Sequence, residues 1–159
     1  MLTIRPARES DVAALVALAR RSWVGAFATA PVAFVRDRLR REFERDWYPR
    51  YWPYMAVAEE GGVVVGLVQP AGDEVNGLWV EPAAQGRGVG TALLRHAERG
   101  IAAAGYGRAW LTCSGFNPGA VRFYLARGYV EVGHESKDRG GGVVEDVLQL
   151  EHRFTPATG

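Results

Sequence analysis

The residues with the clearest chemical potential are three glycines, Gly86, Gly88 and Gly90, which lie between a predicted strand and a predicted helix. Glycine lets the backbone turn tightly and approach a ligand closely, because it has no Cβ. The amides that open the following helix have no partner within it, and they point outward at the positive end of its dipole. Since such a helix start binds anions, the segment predicts a site for a ligand that carries a diphosphate.

Two common phosphate-binding motifs do not fit this segment. A dinucleotide fingerprint reads G-x-G-x-x-G and needs an acidic residue at the end of the next strand, which here ends in Thr112-Cys113-Ser114. A P-loop needs Gly-Lys-Ser or Gly-Lys-Thr, which is also absent. Hydride transfer and nucleotide hydrolysis are therefore disfavoured.

Composition narrows the class of protein. The chain has 159 residues, is 48% hydrophobic and 23% charged, and carries a net charge of +1, which disfavours nucleic acid as a partner. We expect one domain over residues 1–154 and a disordered tail over 155–159. The single cysteine, Cys113, excludes an intrachain disulfide and is expected to be a small buried hydrophobe. No run approaches the roughly 18 apolar residues of a membrane span, and no signal-peptide pattern opens the chain, so we expect a cytoplasmic protein with no membrane partner.

The hydrophobic pattern predicts seven strands and about four helices around this loop. A strand, a glycine loop, a helix and a second strand form a parallel crossover in the middle of the chain, and flanking hairpins make the sheet mixed. The predicted class is therefore α/β (α+β), with a mostly antiparallel twisted sheet and helices packed on it. Strands are predicted at 2–6, 54–59, 63–69, 75–80, 108–114, 129–135 and 143–150, and helices at 10–21, 31–48, 91–104 and 117–127.

Two motifs at this spacing resemble the GNAT superfamily of N-acetyltransferases. The run 85–90 matches its Q/R-x-x-G-x-G/A signature, and Leu78-Trp79-Val80-x-Pro82 resembles the family's fourth strand and its exit. The run 117–129 reads Asn-x-x-Ala-x-x-Phe-Tyr-x-x-x-Gly-Tyr and resembles the family's second motif. The order of elements also agrees, so the resemblance covers nearly the whole chain.

The resemblance implies acetyl-CoA, or another acyl-CoA, as cofactor. In the family the central parallel strands splay apart, the glycine loop binds the pyrophosphate, and the pantetheine arm enters the gap beside the fourth strand. Arg87 is equally well explained as a solvent-exposed loop residue, and Asn117 as a helix cap. The residues that the resemblance assigns to the cofactor are Trp79, Val80, Gln85, Gly86, Arg87, Gly88, Val89, Gly90, Thr91, Asn117 and Tyr124.

Acyl transfer to an amine poses three chemical problems, and the resemblance suggests a residue for each. A lysine-like ammonium, with a pKa of about 10.4, must lose a proton before it attacks. Glu74 is the candidate base, and the alternative is that Glu74 is only a surface carboxylate at the start of a strand. Ser114 is a weaker candidate as a proton relay. The Val80 amide is the candidate oxyanion donor. Tyr124 is the candidate acid for the leaving thiolate, with a purely packed ring as the alternative.

The acceptor side is expected among the aromatic residues of the N-terminal helices. In the family this region walls the acceptor pocket, and we assign Trp23, Phe27, Tyr51 and Trp52 to it. Tyrosine and tryptophan combine an apolar body with a polar tip, which suits an amine with an apolar or aromatic part. A peptide amine stays open as an alternative.

The leading hypothesis is thus an N-acetyltransferase that moves an acetyl group from acetyl-CoA to a primary amine of a small molecule or peptide in a ternary complex. The alternative is a non-catalytic acyl-CoA-binding sensor or regulatory module. A transferase acting on charged tRNA should be more basic than this chain. No histidine has a partner at metal-ligand spacing, so no metal site is predicted. Family members are often dimers, so a homodimer is an expectation without an identified interface.

Overall fold

A computed structural model describes residues 1–155 and shows one mixed sheet of seven strands in the order β1-β2-β3-β4-β5-β7-β6. Only β4 and β5 run parallel; every other neighbouring pair is antiparallel. The predicted mixed sheet is confirmed. The strands are β1 (Leu2–Pro6), β2 (Ala56–Glu60), β3 (Val63–Ala71), β4 (Glu74–Val80), β5 (Arg108–Ser114), β6 (Val130–Gly140) and β7 (Val143–Arg153).

Five α-helices pack on this sheet, one more than the pattern predicts. The expected single helix over 31–48 is two helices, because Glu42 takes a left-handed conformation with φ of 48° that ends the first of them. The second helix also continues past Pro49. The helices are α1 (Val12–Ala26), α2 (Val32–Arg40), α3 (Phe43–Tyr51), α4 (Val89–Ala103) and α5 (Pro118–Leu125).

The core lies on both faces of the sheet. On one face, Leu93, Leu94 and Ile101 of α4 are buried together with Leu111 of β5. On the other, Leu15 and Leu18 of α1 pack with Tyr48 of α3 and with Val57 and Leu67 of the sheet. Each face of the sheet therefore has its own helices. Strands β4 and β5 lie next to each other in the middle of the strand order, so the boundary between them is near the centre of the molecule. No helix among residues 1–155 is long and apolar enough to cross a membrane.

The parallel pair β4–β5 touches only at its beginning. Glu74 pairs with Trp110, and the Trp110 amide donates to the Asp73 carbonyl at 3.1 Å. The register shows no further β4–β5 partner within residues 1–155, although both strands continue. The two strands therefore diverge toward their carboxyl ends and leave a wedge-shaped gap in the sheet.

A β-bulge lies in β4. Gln69 of β3 pairs with Gly77 and Pro70 pairs with Val75, so Asn76 has no partner opposite it. One extra residue reverses the alternation of faces in a strand. Val75 consequently joins the same core cluster as Leu78 and Val80, although strict alternation would place it on the opposite face.

The hairpin β6–β7 is longer than the pattern predicts. The expected loop over 137–142 is strand as far as Gly140, and the turn is made by Gly140, Gly141 and Gly142, which all have positive φ. Arg139, near the tip, pairs with Glu145 across the hairpin and helps to keep the two strands together. Of the predicted tail, residues 156–159 lie outside the described residues.

Candidate functional site

A cavity of about 720 Å³ lies where the wedge opens, and we call it the glycine-loop cavity. It is bounded by the end of β4, the loop before α4, helix α5 and the end of α1. Gly86, Gly88 and Gly90 all line it, so no side chain blocks this corner. The loop that the sequence singles out therefore faces open space large enough for a ligand.

These three glycines are required for two different reasons. Gly86 and Gly88 have φ of 76° and 86°, which only glycine adopts without strain, and a Cβ there would meet nothing within 4 Å. A Cβ at Gly90 would lie 3.2 Å from the Phe123 ring. The first helical bond of α4 runs from the Ala92 amide to the Gly88 carbonyl, so the amides between these residues precede it and are available to an anion.

The predicted loop residues divide into those that face the cavity and those that do not. Gln85 and Thr91 line it, and the Gln85 side chain donates to the Val80 carbonyl at 3.1 Å, which ties the loop to β4. Arg87 instead pairs with Glu60 at 3.2 Å on the surface. Val89 is buried in the core beneath α4. Neither Arg87 nor Val89 is among the residues that line the cavity.

Two cations that the sequence reasoning missed line the same cavity. Arg122 and Arg127 come from α5 and the turn after it. The Arg127 guanidinium donates to the Thr91 hydroxyl at 2.8 Å and lies 3.8 Å from the centre of the Phe123 ring. No local pattern marks these arginines, because they reach the loop only through the packing of α5 against α4.

The free edge of β4 also faces the gap. The Glu81 amide donates to the Val65 carbonyl, so these two residues form a hydrogen-bonded pair. Hydrogen-bonded and non-hydrogen-bonded pairs alternate in an antiparallel ladder, and the next pair, Gly66–Val80, therefore shares no direct hydrogen bond. The main-chain groups of Val80, and of Leu78 two residues earlier, therefore point away from β3 and toward the gap. Trp79 sits in the alternate register and uses its main chain to bond β3, so Leu78 rather than Trp79 offers its backbone here. The Trp79 side chain nevertheless lines the cavity.

A second cavity of about 380 Å³, which we call the central cavity, continues into the gap between β4 and β5. It shares five residues with the glycine-loop cavity, among them Tyr124 and Asn117. Every side-chain nitrogen or oxygen sealed from solvent within residues 1–155 has a hydrogen-bond partner. The Tyr124 hydroxyl has no hydrogen-bond partner among these residues, so its oxygen is not one of the sealed atoms. The residue is only 8% exposed, and the hydroxyl therefore opens onto the cavities that Tyr124 lines.

The environment of Tyr124 favours its neutral phenol. Burial raises the pKa of Tyr124 well above its usual value, and the nearby Cys113 raises it further. The Cys113 thiol is itself buried, which raises its pKa to about 11. Tyr124 therefore keeps its proton at neutral pH and can donate it to an anion in the cavity.

Asn117 combines the two roles that the sequence left open. Its side-chain oxygen accepts from the Ala120 amide at 3.2 Å and so caps α5. The residue also lines both cavities. Its amide nitrogen stays available for a ligand while the oxygen holds the helix.

A groove of about 640 Å³, the aromatic groove, leads from the surface to the central cavity between α1, α2, α3 and the β6–β7 hairpin. Trp23 and Phe27 line both spaces, and Tyr51 lines the groove. Trp52 lines none of the three cavities and packs against the core beside α1. Three further aromatic residues of the N-terminal helices, which the sequence did not assign to the acceptor site, also line the groove: Phe34, Phe43 and Trp47.

Charges in the groove are largely neutralised by one another. Arg38 pairs with the buried Glu44 at 3.0 Å and lies between the rings of Trp23 and Phe43. Arg41 pairs with Asp37 at 2.8 Å. The groove wall is therefore aromatic with compensated charges, and its character is neither strongly acidic nor strongly basic.

Glu74, the candidate base, lies at the closed end of the wedge. Burial and the neighbouring Asp73 raise the pKa of its carboxyl. It lines none of the three cavities. Val80 lies six positions further along the strand, which is roughly 20 Å at about 3.3 Å per residue. Its catalytic role stays a prediction, and the geometry shows no contact through which it would act.

Comparison with known proteins agrees with this architecture. The model of the acetyltransferase (GNAT) family matches residues 12–129. The solution structure of apo YjaB from Escherichia coli is 27% identical, with a TM-score of 0.78 over 96% of this chain and 97% of that one. No curated protein matches the sequence significantly.

Two further solved structures share the fold and contain a ligand. The PaiA N-acetyltransferase of Thermoplasma acidophilum, in complex with coenzyme A, is 17% identical with a TM-score of 0.75 over 97% of this chain and 99% of that one. The putative acetyltransferase YncA of Salmonella typhimurium, with acetyl-CoA, is 20% identical with a TM-score of 0.71 over 100% and 97%. At these identities the similarity shows the fold.

The family match spans most of the chain, and the chain belongs to the acetyltransferase (GNAT) family. Acetyl transfer is therefore its general chemistry, and the predicted resemblance is confirmed.

Proposed function

We propose that the protein is an N-acetyltransferase that moves an acetyl group from acetyl-CoA to a primary amine of a small molecule or peptide by direct attack in a ternary complex. The observation that carries the proposal is the meeting of two spaces at one buried phenol. The glycine-loop cavity approaches Tyr124 from one side and the aromatic groove leads to it through the central cavity. Such an arrangement lets donor and acceptor be present together.

Acetyl-CoA fits the residues around the glycine-loop cavity. The amides from Gly88 to Thr91 would bind its pyrophosphate, and Arg122 and Arg127 would supply positive charge to its phosphates. The main-chain groups of Leu78, which point into the gap, would pair with the amides of its pantetheine arm, while the Val80 carbonyl already accepts from Gln85. When bound, the cofactor supplies an acetyl group activated as a thioester.

The residues in the gap supply the remaining chemistry. The Val80 amide lies on the free edge of β4 and serves as the donor to the oxyanion. Tyr124 protonates the departing thiolate, whose pKa of about 8.5 makes a proton donor useful at neutral pH. Because burial disfavours the tyrosinate, Tyr124 carries its proton at neutral pH and can donate a hydrogen bond to the sulfur as negative charge develops there.

The aromatic groove indicates the kind of acceptor. Stacked Trp23 and Phe27, with ring centres 4.5 Å apart, form a flat apolar wall beside the entrance to the central cavity. Compensated arginines and carboxylates give the groove no strong charge preference. We therefore favour an amine with an apolar or aromatic part over a polycationic acceptor.

A thiol-release assay with a panel of aromatic, aliphatic and polycationic amines tests the proposal, with calorimetry measuring the affinity for coenzyme A. We expect both cofactor binding and turnover of at least one aromatic or apolar amine. Tight binding of acetyl-CoA with no amine turned over would favour a sensor or regulatory module instead. Absence of coenzyme A binding would overturn both functions.

A cytoplasmic location and a homodimer remain expectations from the sequence. Sedimentation of the purified protein, with and without coenzyme A, would test the dimer. Fractionation of the producing cells would test the location.

A further inference from the structure

Two polar residues, the half-buried Ser114 and the buried Glu145, could supply the deprotonation step that the chemistry above leaves without a residue. Ser114 ends β5 and lines the central cavity near Leu78 and Trp79 of β4. Because Leu111 and Cys113 belong to the core on the α4 face, Ser114 lies on the opposite face of the strand, which is the side of the aromatic groove. Its hydroxyl is thus close to where an amine coming through the groove would reach the gap.

The Ser114 hydroxyl is held by a short chain of hydrogen bonds. It donates to Oε2 of Glu145 at 2.6 Å and accepts from the Phe116 amide at 3.1 Å. Glu145 lies on β7, is only 5% exposed and also lines the aromatic groove. Its other oxygen, Oε1, accepts from two nitrogens of Arg139, at 3.0 and 2.5 Å. One carboxylate oxygen is therefore committed to an arginine and the other to a hydroxyl.

A second buried carboxylate, Glu44, lines the central cavity itself, whereas Glu145 lines the aromatic groove and reaches the central cavity through Ser114. Glu44 is bound differently, because two nitrogens of Arg38 donate to one of its oxygens each, at 3.0 and 3.3 Å. An arginine does not pass a proton on, because its guanidinium stays protonated at every pH at which the enzyme would be assayed. A hydroxyl both donates and accepts, so it can relay one. Glu145 is therefore the carboxylate with a proton path to the cavity.

We propose that Ser114 and Glu145 form the proton relay that deprotonates the acceptor amine. The ammonium gives a proton to Oγ of Ser114 as the Ser114 hydroxyl proton moves to Oε2 of Glu145. The products are a neutral amine, an unchanged serine and a protonated Glu145. Glu145 then returns the proton to solvent through the aromatic groove that it lines. This inference rests on the proposed function, because it needs an amine as acceptor.

The groups that face the relay are compatible with this path. Arg139 of β6 holds the carboxylate in place, and the Arg38–Glu44 pair of α2 and α3 lines the same cavity as a neutral unit. Cys113 of β5 and Tyr124 of α5 both keep their protons at neutral pH, because burial raises their pKa values. Neither of them accepts the proton of the amine in place of Glu145.

The test uses Ser114→Ala and Glu145→Gln in the full chain, with the best amine of the panel. The hairpin offers a matched control, because Ser136 also donates to a carboxylate, that of Asp146, at 2.7 Å, but on the surface and away from the cavities. We expect kcat at pH 7 to fall about 10²-fold in both relay variants and to stay within about twofold in Ser136→Ala and Asp146→Asn. Ser114→Thr keeps the hydroxyl and should restore most of the rate.

The pH profile separates a relay from a merely structural role. Without the relay the reaction depends on amine that is already neutral, so the rate of the relay variants should keep rising toward the amine pKa of about 10.4. As a readout besides activity, 13C NMR of glutamate-labelled protein reports on the Glu145 carboxyl group, whose signal is assigned by its loss in Glu145→Gln. This signal should shift in Ser114→Ala and stay unchanged in Ser136→Ala.

Calorimetry with coenzyme A should give the wild-type affinity. Thermal unfolding should show a cooperative transition at a lower Tm in the relay variants, because each of them weakens the hydrogen bonding of the buried Glu145. Wild-type kcat and pH profile in Ser114→Ala would overturn the relay while leaving the proposed function intact. An equal loss at every pH, without rescue by threonine, would also overturn it. A wild-type protein that turns over no amine would overturn the proposed function and the relay together.

Discussion

Replacing Tyr124 by phenylalanine removes one hydroxyl group from the junction of the two cavities. That hydroxyl has no hydrogen-bond partner among residues 1–155, while its ring packs edge-on against Phe123 and Tyr129. Phenylalanine keeps the ring and its contacts. We therefore expect the free energy of unfolding to change by less than about 1 kcal/mol, since no protein hydrogen bond is lost.

The expected effect falls on turnover instead. Acid catalysis contributes about 10²- to 10⁴-fold, and the lower end applies here because a thiolate with a pKa of about 8.5 is a fairly good leaving group without a proton. A 10²-fold loss of kcat corresponds to about 2.7 kcal/mol of transition-state stabilisation. Because burial raises the Tyr124 pKa, the wild-type rate should show no loss from this group on the alkaline side below about pH 10.

Tyr129 provides the matched control. Its ring lies 5.5 Å from that of Tyr124, but its hydroxyl donates to the buried Glu98 at 2.7 Å. Tyr129→Phe should therefore lower the free energy of unfolding by about 1–3 kcal/mol and leave kcat nearly unchanged.

Urea unfolding, the thiol-release assay at saturating substrates and calorimetry with coenzyme A measure the three quantities. If Tyr124→Phe turned over like the wild type, or if it lost stability in the way expected of Tyr129→Phe, Tyr124 would have no role as the acid.

Three further changes test the rest of the structure. Gly88→Asp places a carboxylate where the phosphates would bind and should abolish measurable coenzyme A binding. The control is Gly62→Asp, which has a similar φ of 79° in a distant turn and should cost stability alone. Equal calorimetric affinities of the two variants for coenzyme A would refute the loop assignment. Glu74→Gln should leave the pH–rate profile unchanged, because the residue lies outside the cavities, and a profile moved to higher pH would restore it as the base. The Asp11 pKa is lowered, chiefly by the hydrogen bond from Arg5, so its stabilisation is present above the unfolded value of about 3.9 and is lost as the pH falls through the folded one. Asp11→Asn should therefore lower the free energy of unfolding by about 1.5–3 kcal/mol at pH 7. In urea titrations at falling pH, the variant should also lose stability less steeply than the wild type. An equally steep loss would show that other carboxylates cause the acid sensitivity.

The sequence predicted the central part of the fold closely because its signals are local. Strand β5 has the predicted bounds, and the glycine pair at 61–62 marks the turn of the β2–β3 hairpin. The errors fall where local signals conflict with packing. The spacing of Val35, Leu39, Phe43 and Trp47 suits one continuous helix, but the chain breaks at Glu42, and α3 packs separately on α1 with Tyr48 buried.

The candidate site divides in the same way. The glycine loop, Asn117 and Tyr124 could be named from the sequence, because they lie in two short motifs whose residue spacing resembles that of the GNAT family. The polar partners could not be named, because Ser114 and Glu145 are 31 residues apart and Thr91 and Arg127 are 36 apart.

Local signals in the sequence predict an anion-binding loop after a buried strand and a tyrosine on a capped helix. They do not show that β4 and β5 part after a single pair, or that Tyr124 and Ser114 reach the gap from opposite faces of the sheet. The difference lies in the range of the interactions involved. Backbone conformation and helix capping depend on neighbours within a few residues, whereas the width of a gap and the partner of a buried carboxylate depend on how distant elements pack.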